Sequence, residues 1–208
     1  MSIKLLTLFA ITELLLCLTP GPAVLLVISQ SMRHGFRSSL KGAAGILAGN
    51  AIYFVLSAAG LGALLLASAA LFQIIKWAGA AYLILMGLKM LLSKQRRETS
   101  GDSIVTSKRS VRLFSEGLLT QLSNPKAIVF FSALLPQFVS PGDDVSRQFA
   151  VLGIISLSVE LMVLAAYGWA AERGSRLIVS ARFSSLPDRV AGGFLIGAGV
   201  SLAALRRV

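Results

Sequence analysis

Apolar residues run along this chain in long blocks, and charged residues are gathered into short stretches between them. A helix needs about 20 mostly apolar residues to cross a bilayer. Residues 5–29 form the first such block. Residues 42–75 carry no charge. As one helix they would be roughly 50 Å long, too long for one crossing of a core about 30 Å thick. A turn is therefore expected at Ala67-Ser68, giving spans over 42–66 and 69–92. Blocks at 113–138 and 149–171 give two more. The last, 190–205, is short, and Arg189 and Arg206 can lengthen it by snorkelling. The pattern predicts an all-α integral membrane protein of six transmembrane helices.

Composition supports that class. Of 208 residues, 55% are hydrophobic and 14% charged, well away from the balance of a soluble domain. Lysine and arginine outnumber the acids 20 to 9, a net charge of +11. A basic excess laid out as a stripe among exposed aromatics would point to nucleic acid. Here it is interrupted by long uncharged stretches, and no nucleic-acid partner is expected. The excess instead follows the loops. Thirteen basic residues fall in the first, third and fifth connections, and only Lys4, Arg147, Arg206 and Arg207 fall on the other side. The positive-inside rule then puts the odd loops in the cytoplasm and both termini outside, although Arg206-Arg207 runs against it. The polar stretch 93–112 reads as a cytoplasmic linker between two halves, 1–92 and 113–208. Residues 1–23 also have the look of a cleaved signal peptide, but Glu13 inside the run and the apolar residues after it speak against that.

Two of the blocks carry breakers at matching places. The first reads ELLLCLTPGPAVLLVISQ from Glu13, and the fourth EGLLTQLSNPKAIVFFSA from Glu116. Setting Glu116 on Glu13 also sets Asn124-Pro125 on Gly21-Pro22 and Ser132 on Ser29. Three spans per half invert the second copy. The expected architecture is two inverted three-helix repeats with broken first and fourth helices, and matched breaks point to a transporter's central site. Pro20 ends one half-helix. Pro22 and Pro125 suit the first position of the next, with Gly21 and Asn124 at the cap. The amide groups that follow point partial positive charge into the membrane interior, where a carboxylate is a natural ligand. Lys126 in the first turn opposes the helix dipole and calls for an anion nearby, from substrate or from a glutamate. Two packing kinks with a snorkelling Lys126 are the plainer alternative.

Glu160 lies at the centre of the fifth block. An ionised acid there costs about 2.5–3.5 kcal/mol to insert. It reads as a proton carrier or a ligand for a substrate amine, or else as a structural partner of Lys76 or Lys126. Glu13 is a second candidate for proton coupling. Asn50 and Tyr53 in the second span are candidate substrate ligands or interhelical hydrogen bonds. Glu116, a few residues past Arg112, reads equally as functional or as solvated near the interface, Lys76 as a snorkelling anchor and His34 as solvated. Gly45-x-x-x-Gly49 and Gly193-x-x-x-Gly197 allow close packing within one chain or in a homodimer. Cys17 is the only cysteine, so no internal disulfide or thiolate metal site is expected. No metal cluster, phosphate loop or nucleophile–base set is present, and neither cofactor nor enzymatic activity is expected.

The segments LTPGPAVLLVISQSMRHG, KWAGAAYLILMG and NPKAIVFFSALLPQF, in this order and spacing, resemble the amino-acid exporters of the LysE/RhtB family. An acid seven positions before Tyr167 also fits. The resemblance implies a multi-pass exporter of the bacterial inner membrane, moving amino acids or close derivatives (homoserine- or threonine-like, or other neutral or basic ones) and driven by protons. Some relatives carry an acid near the position of Asn50, where this chain has an amide. The reading is a secondary transporter with its substrate carboxylate at Pro20, Gly21, Pro22, Asn124, Pro125 and Lys126. A metal-ion or other small-solute exporter and a non-transporting membrane assembly protein are the alternatives.

Overall fold

The computed structural model describes residues 1–59, 69–92, 103–140 and 144–177, with positions 189, 193–197, 200 and 203 beyond them. Among these there are helices and turns and no strand. Helix α1 is Ile3–Leu18 and α2 Pro22–His34. Helix α3 is Phe36–Ala58 and α4 Ala69–Leu92. Helix α5 is Ser103–Leu122 and α6 Pro125–Val129, which runs on through a π turn, Phe130–Leu134, and a 3-10 turn, Leu135–Phe138. Helix α7 is Val145–Leu177.

Phe36–Ala58 and Val145–Gly174 are each long and apolar enough to cross a membrane. The pairs α1–α2 and α5–α6 make two further crossings if each bent pair is one span, with bends of 54° and 49°. The expected turn at Ala67-Ser68 and most of the expected span 190–205 lie outside the described residues.

Part of the expected linker is helical. Helix α5 begins at Ser103, so residues 103–112 are helical, and residues 93–102 lie outside the described residues. Charge ended the apolar block at Arg112, but charge does not end a helix. With neither glycine nor proline from Ser103 to Arg112, nothing breaks the turns there.

Burial is reversed relative to a water-soluble protein. On α7, Ile154, Leu161 and Met162 are exposed while Ser156 and Glu160 are buried. On α1, Leu8, Ile11 and Leu15 face out and Glu13 is buried. Apolar residues outside and hydrogen-bonded polar residues inside suit a lipid surround.

Helices α3 and α5 form the most extensive contact, running side by side in the same direction. Glycine allows this approach. A Cβ at Gly45 would strike the Phe114 carbonyl oxygen, and one at Gly117 the Gly42 carbonyl oxygen. At Gly49 it would lie 2.9 Å from Gln121 Cβ. The Gly45-x-x-x-Gly49 motif is thus used inside the chain, where it sets the spacing of the central helices. Helix α7 crosses α3 the opposite way, with Gly168 against Ser39 and Gly153 against Phe54. Toward the starts of α1 and α7, Phe9, Phe54, Phe130, Phe131 and Phe138 form an aromatic cluster. Its ring centroids are 4.9 Å apart for Phe54 and Phe131 and 5.1 Å for Phe9 and Phe138.

Candidate functional site

Each break is built as its residues dictate. Gly21 caps α2 in an extended conformation and Pro22 takes the first turn. Asn124 caps α6 and Pro125 takes its first turn. The caps differ. Gly21 has no side chain to offer α2, while Asn124 Oδ1 accepts from the Lys126 amide at 3.0 Å.

The breaks meet through Lys126. Its Nζ donates to the Leu16 carbonyl, and to the Thr19 carbonyl at 3.1 Å. Its Cδ is the atom closest to a Cβ built on Gly21. A helix end leaves carbonyls unpaired and carries partial negative charge. The anion that Lys126 requires is therefore supplied by the end of α1, and among the described residues no carboxylate forms an ion pair with it. Two further end carbonyls are taken by tyrosines from across the fold. Tyr167 on α7 donates to Leu18 at 2.9 Å, and Tyr53 on α3 donates to Leu122 at 2.7 Å.

A second network joins the helices at the same level. Glu160 accepts from Asn50 Nδ2, and Asn50 Oδ1 accepts from Gln121 Nε2. Gln121 Oε1 accepts from Asn124 Nδ2 at 3.1 Å. The line of amides thus runs from α7 through α3 and α5 to the cap of α6. Glu13 is anchored separately. Its Oε1 accepts from Ser156 Oγ at 2.6 Å, with Cys17 Sγ 3.8 Å away. Glu13 and Glu160 are 5% and 8% exposed, so each carboxyl depends on these partners.

A cavity of about 40 Å³ sits among these groups. Of the residues singled out from the sequence, Glu13, Gly21, Asn50, Asn124, Lys126 and Glu160 line it. Pro20, Pro22, Pro125 and Tyr53 do not. The prolines shape the backbone, and the Tyr53 ring stacks on Phe131 at 4.9 Å while its hydroxyl caps Leu122. Cys17, Gln121, Phe130 and Phe131 also line the cavity without having been singled out as ligands. Phe130 and Phe131 belong to the aromatic cluster, so the cluster borders the cavity. Of the two readings of Glu116, the structure disfavours the solvated one. The residue is 21% exposed, bonded to Arg112 Nε at 3.0 Å and to Gln30 Nε2 at 3.2 Å. The Lys76 side chain lies outside the described residues.

The chain is 32% identical over 198 residues to a homoserine/homoserine lactone efflux protein of Salmonella typhimurium, covering 95% of each chain. It is 33% identical over 195 residues to an uncharacterized membrane protein of Vibrio cholerae, covering 94% of each. A leucine efflux protein of Enterobacter sp. is 32% identical over 131 residues, covering 63% of this chain and 62% of that one. No solved structure gives a significant match. The family model described as LysE type translocator matches residues 14–206, across both breaks and the cavity between them, and the chain belongs to that family of membrane transport proteins.

Proposed function

We propose that this protein exports amino acids or close derivatives by alternating access, with the substrate held between the two breaks and protons moving inward through Glu160 and Glu13. One observation carries the reading. A single cavity brings together the uncapped start of α2, the Lys126 ammonium and two carboxyls on different helices. The first two suit a substrate carboxylate. The acids suit a proton or a substrate amine. The names of the relatives favour neutral amino acids and their derivatives as cargo. The reciprocal tyrosine caps support two inverted halves, 1–92 and 113–208, each closing the other's break.

The cavity also sets what must move. About 40 Å³ holds only about three waters, so the substrate enters by parting the helices around it. Release at the opposite face requires the aromatic cluster to open. The positive-inside rule assigns the basic face to the cytoplasm, so release would be external.

The test uses purified protein in liposomes. Wild type should move at least one neutral amino acid uphill when a proton gradient is imposed. Glu160→Gln should fold, because its amide can still pair with Asn50, and should keep exchange while losing gradient-driven accumulation. Failure of every amino acid in a broad panel refutes export. Undiminished uphill transport by Glu160→Gln refutes its part in coupling.

A further inference from the structure

A wider cavity of about 450 Å³ lies toward the basic face, between α2, α4 and α5. That is the size of a small-molecule site, and the central cavity is far smaller. Leu26, Leu85, Met86 and Leu119 line one part of it. Arg33, Lys89, Arg112 and Glu116 bring charge to the rest.

Glu116 is held there on purpose-built contacts. Gln30, only 3% exposed, donates to its Oε2 at 3.2 Å, and Arg112 Nε donates to its Oε1 at 3.0 Å. Gln30 Nε2 also lies 3.5 Å from the Leu113 carbonyl oxygen. The Gln30 carboxamide fits because α3 has glycine opposite, and a Cβ at Gly42 would strike it. Tyr82 on α4 donates to the Glu116 main-chain carbonyl at 3.4 Å. An acid that served only as a solvated surface charge would need none of this. The arrangement leaves a fixed carboxylate among cations, beside an apolar wall.

We infer that this vestibule is a loading site for a zwitterionic amino acid on its way to the central cavity. Glu116 meets the α-ammonium, Lys89 meets the carboxylate, and the leucines and Met86 take an apolar side chain. The inference rests on the export reading and adds to it a second site with its own specificity. A free amino acid satisfies both charges. Its methyl ester keeps the ammonium and lacks the carboxylate.

The site faces one side of the membrane only, and that separates it from the central cavity. Transport of leucine and leucine methyl ester is measured in inside-out and right-side-out membrane vesicles. Lys89→Ala and Glu116→Gln should raise the half-saturation concentration for leucine about tenfold when it is offered at the basic face. Half-saturation from the opposite face should stay unchanged. The methyl ester should be insensitive to Lys89→Ala. Lys89 is exposed, so that variant carries the test even if Glu116→Gln fails to fold. Equal changes from both faces, or none from the basic face, overturn the loading site and leave export standing. No transport of any amino acid by the wild type overturns the export reading, and the loading site with it.

Discussion

At the first break the start of α2 is left to whatever reaches the cavity, because Gly21 brings no oxygen to its amides. At the second, Asn124 covers the Lys126 amide and ties the start of α6 to Gln121, Asn50 and Glu160. The carbonyl sides differ in the same sense. The end of α1 is held by a full positive charge and a tyrosine, whereas the end of α5 is held at Leu122 by a tyrosine hydroxyl. Two breaks at equivalent positions thus do unequal work. The first offers open donors, which is what a binding surface needs. The second has its Lys126 amide covered and is wired to a buried acid, which is what a joint needs. A shared proline fixes where a helix stops, and the neighbouring side chains decide what the stop is for.

The largest effect should come from removing the group that joins the breaks. Lys126→Met keeps the stem and deletes the ammonium, leaving the Thr19 carbonyl without its donor and the Leu16 carbonyl with the Thr19 amide alone. Charged hydrogen bonds contribute about 1.5–3 kcal/mol each. A loss of about 3–5 kcal/mol in stability is expected, with transport abolished. A thermal melt in detergent measures the first, and one close to wild type would show that the breaks are not joined this way.

Converting the first break into the chemistry of the second comes next. A Cβ at Gly21 would meet nothing nearer than 4.0 Å, and its φ of −147° is ordinary extended backbone. Gly21→Asn should therefore fold and cap α2 itself. The cap competes with the substrate carboxylate. Half-saturation should rise about tenfold, equivalent to roughly 1.4 kcal/mol, while the melting temperature holds or increases. Unchanged affinity for a carboxylate substrate would remove the distinction between the breaks.

The tyrosine pair should give the smallest effect. Tyr167→Phe and Tyr53→Phe each delete one hydroxyl donor to a helix-end carbonyl. Each should cost about 1 kcal/mol, with Tyr167→Phe the milder because Lys126 remains beside it. Equal melts for wild type and Tyr53→Phe would mean that the Leu122 carbonyl needs no partner.

Much of this site was legible from residue type and position. Proline after glycine or asparagine inside an apolar run has few roles apart from starting a helix. A lone acid in the middle of such a run must be buried and paired. The partners were less legible, because they depend on which helices touch. Nothing near Gln121 says that it lies between Asn50 and Asn124, since that follows from the glycine-set contact of α3 with α5. Tyr167 was noticed only for its spacing from Glu160, and its hydroxyl finds Leu18 through the crossing of α1 and α7. Lys126 was expected beside an anion, and the negative end of a broken helix had not been counted as one. The start of α5 was hidden for another reason, since hydropathy marks where lipid ends and a helix can continue into water.

The caps of the first break also bear on how the chain is made. When α1 and α2 leave the ribosome, the donors for Thr19 and Leu18 have not been synthesised. Lys126 follows Thr19 by 107 residues and Tyr167 follows Leu18 by 149. Until they arrive, the carbonyls of the first break must be sheltered by water or by the insertion machinery, because lipid offers no donor. Insertion of the first broken span is therefore provisional, and the second half completes it. Residues 1–92 made alone should be cleared by membrane proteases, and supplying residues 103–208 as a separate chain should protect them.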